Sequence, residues 1–384
     1  MAVWENETWA GVTSRRTDLK ITFVVAPYPW RPMGALRVAY EYANGLVGRG
    51  HDVTVVHASR LVGGSPSPPM AGIVRRIHGV GSAVRNTLLK PRIRWHALDS
   101  RIRISYVKEP FPIAIPNGDA VIAGVWGTAG YVRHYPREKG EKFHLIQHYG
   151  VVFGNSKEQV HDVWKAPFHN IVVSKWLHNL AEEIGCSDTQ YIPNGIDPTK
   201  YHVIRPLMGR PAKIAMLFHK PVWKGSADGI RAIEIARQKH PELQLVLFSA
   251  VARPSNLPSW IEFHRDPSQE YLVREIYNGS RIFLCPSWSE GFALPPAEAM
   301  ACGCAVVSTD CGGNLDYAEH ERTALLSPPQ KPEVLAGNLL RLLDDDALRL
   351  RIARAGIERI RDFTWEKSTA DFETAIRESV RWRG

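Results

Sequence analysis

The stretch SWSEGFALPPAEAMACGCAVVSTDCGG, residues 287–313, decides how the rest of the chain reads. It follows Arg281 to Pro286 (RIFLCP), an apolar run of strand length. Pro295 and Pro296 then stand where a helix begins, because first-turn N–H groups have no intrahelical partner and proline lacks nothing the helix needs there. Gly303 is the stop signal of that helix, and Ala305 to Ser308 resumes a strand. Glu290, Gly291, Phe292, Ala293 and Leu294 therefore form a loop that runs from a strand end into a helix N-terminus. Free amides and the positive end of the helix dipole suit such a loop to an anion such as a diphosphate. Gly291 lets a ligand approach the backbone closely. Glu290 lies in the loop and Glu298 in the first turn, and an ionised carboxylate can accept both hydroxyls of a vicinal diol. Acidic residues also favour first helix turns with no ligand present, so Glu298 has a purely structural reading as well.

Outward from this segment, strands alternate with helices, the pattern of parallel sheets covered on both faces. Leu19 to Ala26 (LKITFVVA) reads as a buried strand, Ala35 to Val47 as a helix opened by Gly34, and His51 to His57 as the next strand. Asp119 to Val125, Lys142 to Gln147 and Asn170 to Ser174 are further strands, and Ile73 to Leu89 reads as an amphipathic helix. The pattern restarts with Ala212 to Phe218, a helix from Ser226 to Lys239 with Ser226 as N-cap, and the strands Leu243 to Ser249 and Arg281 to Pro286. The tail from Pro332 to Trp382 is helical. The expected fold is α/β, with two Rossmann-like domains whose parallel sheets face each other across a cleft. Residues 1–200 form the first domain and 201–364 the second. Residues 365–384 form a last helix, and the linker lies near Asp197 to Pro211. In doubly wound sheets ligands sit beyond the carboxyl ends of the strands, which here is the cleft.

The chain's 384 residues are comfortable for two hydrophobic cores. With 44% hydrophobic and 23% charged residues, neither disorder nor a membrane bundle is favoured. No stretch offers the ~20 apolar residues of a spanning helix. Met1 to Lys20 carries Glu5, Glu7 and Asp18 and no apolar core, unlike a secretory signal. The five cysteines are an odd number, which fits a reducing cytoplasm. Cys302, Cys304 and Cys311 cluster, but three thiols fall short of a four-ligand structural site, so no metal is expected. The formal charge of +9 is uneven: residues 1–200 hold 24 Lys and Arg against 16 Asp and Glu, residues 201–384 hold 24 against 23. Between Met70 and Lys108 nine basic residues face only Asp99. Such a block suits an anionic membrane surface, an anionic acceptor or nucleic acid, and equally a solvated face.

The spacing of Glu290 and Glu298 inside EGFALPPAEAMACG closely resembles the signature of retaining glycosyltransferases of family 4, which adopt the GT-B fold. Tyr191 to Asp197 (YIPNGID), Gly50 to Val56 (GHDVTVV), Lys142 to Gly150 (KFHLIQHYG), Ile171 to Leu177 (IVVSKWL) and Phe363 to Trp365 (FTW) also resemble that family's motifs, in its order. The resemblance implies that Glu298 holds the donor ribose and Glu290 the hydroxyls of the transferred sugar. It implies that Gly291, Phe292, Ala293 and Leu294 meet sugar and diphosphate through their amides. The family's usual glycine is replaced by Ala293. A basic pair after the second domain's first strand binds the diphosphate in the family. Lys224 matches its second member, and His219 and Lys220 stand where the first is usually Arg. Lys220 is preferred, since its charge does not depend on pH near 7. The family's Gly-rich loop after the first strand is reduced here to Gly34. His148 aligns with a position near the acceptor.

The resulting expectation is an enzyme that moves a sugar, with retention, from a nucleotide-diphosphate-sugar to a hydroxyl acceptor. Lys220, Lys224 and the helix N-terminus would neutralise the departing diphosphate. No cofactor is expected beyond the donor itself, and no Asp-x-Asp metal motif is present. The preferred setting is cell-envelope polysaccharide or lipid-linked glycan synthesis, in the cytoplasm or on the inner face of the membrane. A small specialised-metabolite acceptor is the alternative. A sugar-nucleotide epimerase or phosphorylase would use the same frame. A nucleic-acid-binding protein is disfavoured, because aromatics do not interleave with the basic block.

Overall fold

The computed structural model describes residues 18–28, 30–61 and 93–381. The expected helix at 73–89 and most of the basic segment 70–108 lie outside them.

Seven strands form the first sheet: β1 (Lys20–Val25), β2 (Asp52–Ala58), β3 (Arg103–Val107), β4 (Ala120–Ala123), β5 (Glu141–Ile146), β6 (His169–Val172) and β7 (Thr189–Tyr191). All pair in parallel, in the order β3-β2-β1-β4-β5-β6-β7. β1 is buried at every residue after Lys20, which is why it reads as a continuous apolar run and not as an alternation. Helices α1 (Gly34–Gly48), α2 (Trp126–Val132), α3 (Lys157–Trp164) and α4 (Lys175–Ile184) belong to this half.

The second sheet contains β8 (Lys213–Leu217), β9 (Gln244–Ser249), β10 (Glu262–Arg265), β11 (Ile282–Cys285), β12 (Ala305–Thr309) and β13 (Ala324–Ser327). Its order is β10-β9-β8-β11-β12-β13, again all parallel. Its helices are α5 (Ser226–Lys239), α6 (Leu294–Ala301), α7 (Pro332–Asp344) and α8 (Asp346–Ile360). Strand order reverses between β1 and β4 in one half and between β8 and β11 in the other. Those reversals are where an open α/β sheet parts its loops and leaves a crevice.

A last helix, α9 (Trp365–Arg381), lies against the first half. Phe372 meets Phe23, Tyr42 and Phe143 at ring-centroid distances of 6.3, 4.7 and 6.2 Å. Glu373 accepts hydrogen bonds from Arg49, His51 and Arg377. His51 Nδ1 accepts from the Leu19 amide at 3.0 Å, so the neutral ring carries its proton on Nε2 and donates to Glu373. Where the chain crosses back, a Cβ on Gly195 would stand 2.1 Å from the Trp365 nitrogen, so only glycine lets the two segments pass.

Three local expectations change. Glu298, expected in the first turn of its helix, is the fifth residue of α6, and that turn holds no acid. Ser226 is the first residue of α5 and not its N-cap; Gly225, at φ 63°, takes the cap position. The Ser226 hydroxyl instead closes the preceding loop, accepting from the His219 amide and donating to the His219 carbonyl, both at 2.9 Å. β3 lies inside the segment read only for its charge. As an edge strand it uses Arg103 to reach Asp52 at 2.6 Å and the Thr54 hydroxyl at 3.1 Å, so its arginine is part of the pairing surface.

Candidate functional site

The loops that leave β8 and β11, the two strands at the reversal of the second sheet, meet at one point. The first carries a 3-10 turn, Val222–Lys224. The second carries Ser287 to Ala293. Lys224 Nζ donates to both Glu290 oxygens, at 2.6 and 2.8 Å, and the Ser287 hydroxyl donates to Oε1 at 2.8 Å. The Lys224 ammonium also sits 4.3 Å from the centre of the Trp223 ring, a cation–π contact. The side chains of Lys224 and Glu290 are only 17% and 14% exposed. Burial would push the Glu290 carboxyl up, but Lys224, His148 and Ser287 outweigh it and hold the carboxyl below the usual range.

The other half closes over this pair. Trp176, in the first turn of α4, donates its indole N–H to the Glu290 carbonyl at 2.9 Å. His148, just beyond β5, makes ring contacts with Phe153 and Trp223 at 5.3 Å each. Its Nε2 lies 3.4 Å from the Ser289 carbonyl. Burial lowers its pKa, with Glu290 opposing and Lys224 adding to the shift. A Cβ on Gly291 would stand 1.7 Å from the Gln147 carbonyl. The glycine read as a place for ligand approach is thus also the place where the two halves touch.

The amides of Gly291, Phe292, Ala293 and Leu294 donate to no protein acceptor among the described residues. Pro295 and Pro296 contribute no N–H to the first turn of α6, so these four loop amides are the donors available there to an acceptor. Ala293, the departure from the family's glycine, sits at φ 64° and ψ 71°, left-handed backbone that costs a non-glycine residue about 1–2 kcal/mol. Tyr317 anchors its carbonyl at 2.6 Å. Ala293→Gly should relieve that strain, less roughly 0.5–1 kcal/mol for glycine's greater chain entropy. Denaturant melts should therefore show unchanged or higher stability. A marked loss would mean that packing of the buried methyl dominates.

Glu298, only 2% exposed, accepts from the Tyr277 hydroxyl at 2.9 Å through Oε2 and from Arg37 through Oε1. Arg37 comes from α1 of the other half. The sequence reading missed it. A positive side chain in the first turn of a helix works against the helix dipole, and that mismatch was the available signal.

His219, not Lys220, is the neighbour of Lys224 and Glu290. Burial and Lys224 push its pKa down to about 4, against Glu290, so it is neutral near pH 7 and offers no charge to an anion. Lys220 is exposed. Gly34 is exposed at the start of α1, with nothing within 4 Å of the position a Cβ would take. All five cysteines are buried free thiols, and no group of three His, Cys, Asp or Glu able to hold a metal occurs among the described residues.

Residues 214–345 match the family profile described as Glycosyl transferases group 1. A D-inositol 3-phosphate glycosyltransferase of Paenarthrobacter aurescens is 27% identical over 198 residues, which is 48% of this chain and 46% of that protein. The chain thus spans about half the length of that relative. The O-antigen biosynthesis protein RfbC of Myxococcus xanthus is 23% identical over 327 residues, 77% of this chain and 24% of that protein. Among solved structures, Anabaena Alr3699/HepE in complex with UDP-glucose superposes with a TM-score of 0.71 over 94% of this chain and 99% of that one, at 15% identity. At that identity the likeness establishes the fold: two parallel-sheet Rossmann-like domains in the GT-B arrangement.

Proposed function

We propose that the chain is a group 1 glycosyltransferase that moves a sugar, with retention, from a nucleotide-diphosphate-sugar to a hydroxyl acceptor. The observation that carries this reading is the meeting of Lys224, Glu290 and four unused loop amides at the reversal of the second sheet, beside Glu298 and facing His148. Lys224 is paired with Glu290. An incoming diphosphate draws the ammonium and the amides of residues 291–294 onto its oxygens, and Glu290 turns to the hydroxyls of the sugar. As the bond to the anomeric carbon breaks, negative charge grows on the diphosphate, where preorganised donors act most strongly. Among the described residues no dedicated nucleophile is evident, so the acceptor hydroxyl attacks from the face the diphosphate leaves and passes its proton to the departing phosphate oxygen, with His148 as the residue proposed to meet the acceptor.

For the acceptor we favour a cell-envelope polysaccharide or lipid-linked glycan, in line with the long match to the O-antigen biosynthesis protein. A small polar acceptor is the second reading, favoured by the similarity to an inositol-phosphate glycosyltransferase. The basic residues of 70–108 are proposed to meet the anionic inner face of a membrane or the acceptor itself. No described helix is long and apolar enough to cross one.

The test is a thermal-shift panel of UDP-, GDP-, ADP- and dTDP-sugars, followed by product analysis on a donor that binds. A ligand at a hundred times its Kd stabilises by about 2.7 kcal/mol, which a melt resolves. If no donor shifts the melt and none is consumed, the reading fails. Interconversion of the donor's sugar without transfer would identify an epimerase.

A further inference from the structure

Each glutamate of the site has a cation against it, but from different halves. Lys224 belongs to the same half as Glu290. Arg37 reaches Glu298 from α1, across the cleft, and its guanidinium also lies 5.4 Å from the centre of the Tyr201 ring. One turn further along α1, the buried Glu41 lies 4.0 Å from the Lys200 ammonium, which pairs with Asp197 at 2.8 Å. A line of alternating charge thus runs from Glu298 through Arg37 and Glu41 to the segment where the chain passes between the halves. Burial opposes the Arg37 charge, but Glu298, Tyr201 and Glu41 outweigh it and raise its pKa further.

A carboxylate offers about four acceptor positions, two on each oxygen. In Glu298 Tyr277 uses one on Oε2 and Arg37 one on Oε1. The Tyr201 hydroxyl also lies within reach of this carboxylate, and at least one acceptor position remains for a ribose hydroxyl. Arg37 therefore has no need to leave when a ribose arrives, and its hold on Oε1 keeps the carboxylate from turning.

We propose that Arg37 is a positioning residue of the donor site, supplied by the opposite half, which orients Glu298 for the ribose hydroxyls and so ties nucleotide binding to contact between the halves. This rests on the donor reading above and adds a residue and a coupling to it.

The experiment is a double-mutant cycle on Arg37 and Glu298, read by calorimetry with UDP and GDP as probes and by donor kinetics. For whichever probe the parent binds, Arg37→Gln should weaken affinity about tenfold. It should raise the donor KM by a similar factor and leave kcat within about twofold, because Arg37 touches no reacting group. Arg37→Lys, which keeps one charged donor, should recover part of the loss. In a Glu298→Gln background, removing Arg37 should change affinity little, since its effect passes through that carboxylate. Unchanged affinity, tighter binding, or losses that simply multiply would each overturn the role of Arg37. A parent that binds no nucleotide overturns the donor reading first. A misfolded Arg37→Gln, seen by circular dichroism, leaves the Lys variant to decide.

Discussion

Lys224→Met should lower turnover by about a hundredfold or more, the scale seen when one preorganised donor to a developing anion is lost. With His219 neutral and Lys220 exposed, Lys224 is the charge proposed to meet the diphosphate. Nucleoside diphosphate affinity should fall with turnover, while affinity for the free nucleoside should hold. That contrast, read by calorimetry, separates a lost phosphate contact from a damaged fold. Lys224→Arg should recover part of the activity by keeping the charge. The pH profile supplies a second readout. In the parent, Lys224 helps hold the Glu290 carboxyl below its usual range, so it stays ionised well to the acid side of neutrality. Without Lys224 the burial that opposes ionisation gains weight and the carboxyl titrates at higher pH. The acid limb of the residual activity should therefore move up. Parent-like turnover with an unmoved acid limb would remove Lys224 from the reaction.

The two glutamates should separate. Glu298→Gln keeps size but loses charge-assisted hydrogen bonds, each worth roughly 1.5–3 kcal/mol, to the ribose and to Arg37. It should weaken the nucleoside diphosphate and the whole donor alike. Glu290→Gln should leave diphosphate affinity nearly intact or slightly improved, because the diphosphate no longer competes with a carboxylate for Lys224. Turnover should fall and discrimination among donor sugars should relax. If Glu290 and Glu298 serve only to hold the structure together through their ion pairs with Lys224 and Arg37, each change costs stability by breaking a buried pair and leaves binding alone. Calorimetry with the diphosphate beside initial rates with the donor reads both. Two variants that bind and turn over like the parent would show that the acidic pair has no part in the donor site.

Which parts of this protein could be read from its sequence follows from the range of the interactions involved. The α/β alternation and the restart after residue 200 were legible because buried parallel strands are continuous apolar runs, as in β1 and β9, and because Gly34, Gly48 and Gly303 mark helix ends near at hand. Glu290 and Lys224 could be singled out as candidates because their loops lie between a strand and a helix a few residues apart, and Glu298 because it stands in the helix that follows. β3 was not, since an edge strand carries polar residues such as Arg103 and its pattern is masked by charge. Tertiary structure alone decided that His219 is buried beside Lys224 and Glu290 while Lys220 is exposed. It alone placed Ala293 in left-handed backbone and pressed Gly291 against Gln147. It also brought Arg37 to Glu298, 261 positions away. Contacts of that kind depend on two separately folded halves docking at a set distance, and no local periodicity or cap signal carries that information.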